Sequence, residues 1–197
     1  MLKEFKEFIA FENEASHLYA YHALLVPGIL QTPEYARGSI AQLLRRSPDD
    51  KAVEERLEVR LNRQAALMSR LDGANPPALT QALDEAVLMR TVGSTEIMHG
   101  QLRHLLELAE RPSVTLVIAP LASEGNPALG GNFELLSFAG RGDADVAFIE
   151  SMVSDTLVTE EEQTRTLREI MDVLVEECDT GPDAIRQIRK IDRSLGR

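Results

Sequence analysis

The 197-residue chain contains a single cysteine, Cys178. An intramolecular disulfide is therefore excluded, and a cytoplasmic, reducing location fits. Long apolar runs are missing too. No stretch reaches the roughly 18 consecutive apolar residues that suggest a membrane span. Lys3, Glu4, Lys6 and Glu7 break up the start of the chain, unlike a signal peptide. Basic residues are few: 21 Lys and Arg stand against 32 Asp and Glu, a formal net charge of -11. Nucleic-acid backbones need neutralising Lys and Arg, so no direct nucleic-acid contact is expected of this chain. The acidic surplus reads as solubility, with an acidic docking face as the alternative. Chemical motifs are equally sparse. The chain has no CxxC, no HExxH, no nucleophile elbow and no phosphate loop. His17 and His22 are five apart, as are His99 and His104, so neither pair shares a helix face cleanly. No metal and no cofactor are expected. Gly130-Gly131 precedes a strand pattern and reads as a turn, not an anion cradle. Arg141-Gly142-Asp143 spells an adhesion tripeptide but reads as a hairpin tip. Internal repeats are absent.

What is present suits one α+β domain over residues 1–197. The hydrophobic fraction of 44% supplies a real core. Residues 2–72 read as mainly helical. Leu2, Phe5, Phe8 and Ile9 recur at helical spacing over residues 2–16, and Ser47-Pro48-Asp49-Asp50 opens a long helix to about residue 70. Gly73 to Pro77 ends it. Residues 78–158 carry the sheet. Ala78 to Leu83, Val114 to Ala119, Phe133 to Phe138, Val146 to Glu150 and Thr156 to Val158 read as strands, with a Ser94-capped helix among them. Residues 159–197 read as helical, opened by a capping box of Thr159 and Glu162 and broken at Gly181-Pro182. The expectation is a single mixed domain with a predominantly antiparallel sheet of about four to six strands flanked by helices.

The stretch from Glu14 to Arg37, EASHLYAYHALLVPGILQTPEYAR, organises the rest. Leu18 to His22 alternates like a short strand. Val26-Pro27-Gly28 turns the chain, because Pro fixes φ and Gly accepts a positive one. Thr32 can cap a helix that begins at Pro33 and runs to about Arg46. Glu14-Ala15, Leu25 to Thr32 and Tyr35-Ala36-Arg37 closely resemble a domain of actinomycete regulators, where it follows an XRE-type helix-turn-helix. Some of those regulators are called antitoxin-like. Weaker matches follow in order: Arg60 with Arg63-Gln64, Asp84 to Leu88 with Arg90, Val92 and Gly93, then Met98, Gln101-Leu102, Pro120, Gly131 with Phe133, and Glu150. The resemblance covers nearly the whole chain. It implies a cytoplasmic regulator but carries over no catalytic residue. Because the first motif follows so soon after Met1, the chain is expected to carry no DNA reader of its own.

A set of polar residues in apolar surroundings falls on that pattern: Glu14, Gln31, Tyr35, Arg37, Arg60, Gln64, Glu85, Arg90 and Glu150. In one reading they pair with each other and satisfy backbone groups where helices meet the sheet. In the other they line a pocket. Gln31, Tyr35, Arg37, Arg60, Gln64 and Arg90 would then bind a ligand, with an arginine on an anionic group and Tyr35 stacked on a flat ring. Two functions follow. The first is a regulatory or interaction domain that binds a small ligand or a small partner protein, and that can form a homodimer. The second is a stand-alone enzyme of a small-molecule pathway, with acid–base catalysis by Glu85, Glu150, His22 or Tyr35.

Overall fold

The structure, a computed structural model, describes residues 3–122, 125–139, 144–151 and 154–196. The Arg141-Gly142-Asp143 tip lies outside the described residues, as does Leu2. The chain folds as an α+β domain on a seven-stranded mixed sheet. Helix α1 (Lys3–Glu14) leads into the central strand β1 (His17–His22). A 3-10 turn, Gly28–Leu30, then precedes α2 (Pro33–Leu44) and α3 (Lys51–Leu71). Strand β2 (Ala78–Asp84), the short α4 (Glu85–Met89), α5 (Thr95–Leu108) and β3 (Val114–Ala119) follow. The chain returns through β4 (Phe133–Ser137), β5 (Val146–Ile149) and β6 (Thr156–Val158). It ends with α6 (Glu161–Glu177), β7 (Asp179–Thr180) and α7 (Gly181–Ser194).

The spatial order is β6-β5-β4-β1-β2-β3-β7. Strands β1, β2 and β3 run parallel, while the other four neighbouring pairs are antiparallel. Parallel neighbours need crossovers of a dozen or more residues, and α2–α3 and α4–α5 supply them. The seventh strand, β7, is only two residues long, against the four to six strands expected.

Alternation along the strands divides the core. Leu18, Leu79, Leu83, Leu116, Ile118, Leu136 and Phe148 share one cluster with α1, α5 and α7 residues such as Phe8, Leu102 and Ile188. Tyr21, Ala82, Val117, Leu135 and Ala147 pack on the opposite side with Met171 and Leu174 of α6. A smaller cluster of Ala36, Ile40, Val53 and Leu57 locks α2 to α3.

Local signals act mostly as their chemistry dictates. Thr32 caps α2 through its side-chain oxygen, Pro33 opens the helix, and Arg45 ends it with φ of 54°. Asp50 caps α3 and Ser94 caps α5. Thr159 departs from expectation. The helix starts one residue later, Glu160 is its N-cap, and no side chain caps it. Instead Thr164 Oγ1 donates back to Glu160 O at 3.3 Å. Among the described residues no helix is long and apolar enough to cross a membrane.

Candidate functional site

The segment from Val26 to Thr32 is a knot of side-chain to backbone hydrogen bonds. Buried Gln31 donates from Nε2 to Val26 O at 2.7 Å. Val26 N donates to the Tyr35 hydroxyl at 3.3 Å. From α3, Gln64 Nε2 donates to Gly28 O at 2.6 Å and to Gln31 O at 2.8 Å. From α5, Gln101 accepts from Thr32 N at 2.7 Å and donates to Leu30 O at 2.8 Å. Arg60 Nη1 donates to Gln31 Oε1 at 2.9 Å. The role of Gly28 differs from the expected one: its φ is not positive. A Cβ there would instead stand 3.3 Å from Arg60 Nε, so glycine makes room for the guanidinium to lie against the turn.

Beside this turn lies a charge cluster between α1, α3 and β4. Arg63 Nε donates to Glu12 Oε2 at 2.7 Å, and its Nη2 reaches Glu12 Oε1 at 2.6 Å and Glu134 Oε2 at 2.8 Å. The three side chains are 10%, 4% and 17% exposed. Burial works against the Arg63 charge, but the two carboxylates hold its pKa above the usual arginine value. The guanidinium also lies 5.5 Å from the ring centroids of Phe5 and Phe8. This is a committed ion-pair network, with both acids served by one fork.

Three groups around the network have no such commitment. Arg60 forms no ion pair among the described residues, although Glu150 and Glu134 are within electrostatic reach. Burial lowers its pKa, with Glu150 acting in the opposite direction. Glu150 directly follows β5. Its carboxyl pKa is raised, first by desolvation and then by Glu134 and Asp155, against the pull of Arg60 and Arg63. His22 ends β1 on the same side, and its Nε2 is buried without a hydrogen-bond partner. Burial first, and Arg63 second, push the His22 pKa down to about 4, so the ring is neutral at pH 7. The register places His22 and Glu150 at the same end of the sheet. Glu134 pairs with Phe148, and Tyr21 pairs with Phe133. Asn132 Oδ1 then accepts from Ala23 N at 2.8 Å, which holds the ends of β1 and β4 together beside β5. The carboxyl ends of β1 and β5 therefore face the same edge.

The remaining expected residues lie elsewhere. Tyr35 is fully buried, and burial raises its hydroxyl pKa. Arg37 pairs with Glu54 at 2.7 Å and donates to Pro48 O at 3.0 Å, on the surface. Arg90 is exposed beyond α4, and Glu14 is exposed at the end of α1. Glu85 accepts from Leu121 N at 2.9 Å and from Gln187. Glu85, Glu150, His22 and Tyr35 thus do not share one site. Gln31 and Gln64 do border a pocket of about 170 Å³ with Ile29, Thr32, Pro33, Met68 and His104. That volume is below the roughly 300 Å³ of common ligand pockets. Glu12 and Glu134 escaped the sequence reading. Glu134 had a detectable signal, being the one charged residue in the strand FELLS. Among the described residues, no group of three or more His, Cys, Asp or Glu side chains is placed to hold a metal ion.

Fold and site together define an α+β domain with a paired charge network where α1 and α3 meet β4. The chain belongs to the family described as a domain of unknown function (DUF5753), whose model matches residues 5–190. A comparison with curated proteins found no match.

Proposed function

We propose that this chain is a regulatory binding domain that takes a small ligand at the edge formed by His22, Arg60 and Glu150. The observation that carries this reading is the contrast in charge commitment. Arg63, Glu12 and Glu134 satisfy one another, while Arg60 and Glu150 next to them do not. Arg60 is half-buried without a carboxylate of its own among the described residues, where a guanidinium that serves only the fold normally pairs, and Glu150 stands exposed at the end of β5. In the XRE-type, antitoxin-like regulators that the chain resembles, ligand occupancy at this edge would be passed to a helix-turn-helix.

A small partner protein is the second reading. Leu24, Leu121 and Leu129 are 57%, 58% and 79% exposed near the carboxyl ends of the parallel strands. Large exposed apolar side chains close together favour a protein contact. The enzyme reading draws only on the raised Glu150 carboxyl and the neutral His22 ring.

Native mass spectrometry of the untagged protein from its own host tests the proposal. The expected result is extra mass that leaves on denaturation and is diminished in Glu150→Gln. Several hundred daltons would identify a small ligand, and several thousand a protein. Bare chain mass, together with no thermal stabilisation by any member of a metabolite panel, would sink it.

A further inference from the structure

We propose that the small bowl between the Val26 to Thr32 turn, α3 and α5 binds a neutral, ring-sized molecule with one hydroxyl donor, of the simple phenol class. The bowl is lined by other residues than the edge discussed above, and neither reading depends on the other.

Its size sets the first limit. The cavity holds about 170 Å³. Ile29 and Gln31 at its floor are buried, Thr32, Gln64, Met68 and His104 are half-buried around them, and Pro33 is exposed at the rim. An apolar cavity of about 150 Å³ is large enough for benzene. One six-membered ring therefore fits, and a nucleotide does not.

Charge sets the second limit. Among the described residues, no Lys, Arg, Asp or Glu lines the cavity. A charged ligand would lose hydration there without gaining a counter-charge. Ile29, Pro33 and Met68 supply the apolar wall, and the thioether of Met68 favours an aromatic ring over an aliphatic one.

The polar atoms select a donor. Both Nε2 hydrogens of Gln64 are spent, on Gly28 O at 2.6 Å and on Gln31 O at 2.8 Å. That fixes the amide and leaves Oε1 as an acceptor without a hydrogen bond among the described residues. His104 makes no hydrogen bond among them either, its Nδ1 standing 3.9 Å from Glu107 Oε2. Burial lowers its pKa from 6.5, so at pH 7 the ring is mostly neutral and keeps one nitrogen as an acceptor. A phenol hydroxyl serves either acceptor while its ring fills the apolar part. The walls are also set in advance. Gln31, Gln64 and Gln101 tie the turn to itself, to α3 and to α5, so little has to be ordered on binding.

The test uses the full chain, labelled in its methionine methyl groups and titrated with phenol at pH 7 under NMR observation. Concentrations stay below those that change the circular-dichroism spectrum. Met68→Leu assigns the Met68 signal. That signal should shift saturably, while those of Met89 on α4 and Met171 on α6 should not. Anisole, which has no hydroxyl donor, should bind about three- to tenfold more weakly, the range of one neutral hydrogen bond. Cyclohexanol should also bind more weakly than phenol, and benzoate should not compete. Met68→Trp fills the bowl and should abolish the binding, read from the signal of His104. His104→Leu is the second variant. It should weaken phenol and leave anisole unchanged.

No shift at Met68, or a linear drift of all the methionine signals, overturns the proposal. So does anisole, cyclohexanol or benzoate binding as tightly as phenol. Phenol affinity undiminished in both variants overturns it as well.

Discussion

Arg63 is the residue on which most of the α1–α3–β4 junction converges. Removing it would strand Glu12, 4% exposed, beside Glu134 with no ion-pair partner among the described residues. Breaking a buried pair from one side costs about 3–5 kcal/mol. Arg63→Ala should therefore lower the unfolding free energy by that amount, seen by circular dichroism as a lower urea midpoint at an unchanged slope. Glu150→Gln removes no ion pair and should leave the unfolding free energy of the unliganded chain within about 0.5 kcal/mol, the usual range for surface changes. The same pair of measurements separates the two readings of the polar residues. A large loss at Glu150 would mean that it, too, holds the fold. Gln31 is intermediate. Gln31→Ala would leave Val26 O and Arg60 without their partners and should cost about 1–3 kcal/mol.

Two threonines set the test for the elements. Thr32 caps α2, its oxygen accepting from Tyr35 N, whereas Thr159 has no cap role at α6. Thr32→Ala should destabilise by about 1 kcal/mol, while Thr159→Ala should be near neutral. Equal losses in thermal unfolding would contradict this assignment. The contrast also shows what the sequence could disclose. Long periodic segments were legible, because a face of Val53, Leu57, Leu67 and Leu71 requires a helix and VTLVIA suits a buried strand. Strand β7 was not, since two residues carry no period. The capping box at Thr159 and Glu162 matched a local pattern, but the entry from β6 set a later start. Among the site residues, Gln31, Arg60 and Gln64 stood out because they fall on the pattern of the resembled family. Glu12 looked like one more acid on a helix surface. Its partner is 51 positions away, so only the tertiary fold makes it a buried group. For the same reason Arg37 and Arg90 could not be told from Arg60 in advance.

At the scale of the whole molecule, acid should destabilise the fold through two histidines. His17 and His22 have pKa values lowered from 6.5 to about 4, both mainly by burial. Above pH 6.5 neither state holds a proton on them. Between 6.5 and 4 the unfolded chain takes up protons that the folded one refuses, so stability falls with pH, and below about 4 this loss is complete. Glu150 works in the opposite sense, since its raised pKa makes the folded state the better proton acceptor in the range above the ordinary carboxylate value. Urea midpoints measured from pH 7 to 4 should decline in the wild type. They should decline less in His17→Gln/His22→Leu.

The position of β1 at the centre of the sheet has a consequence for biosynthesis. Its two neighbours are β2 and β4, so one flank is served by residues 78–84 and the other only by residues 133–137. At ribosomal rates of about 5–20 residues per second, β4 emerges roughly 6–23 s after β1. Until β4 arrives, one edge of the strand bearing Leu18, Tyr19 and Tyr21 stays without a partner even after β2 has paired with the other. The Phe148 platform for α1 arrives later still. A ribosome stalled between β3 and β4 would therefore hold a half-built sheet with an adhesive flank, a natural substrate for trigger-type chaperones and a point at which slow codons would do harm.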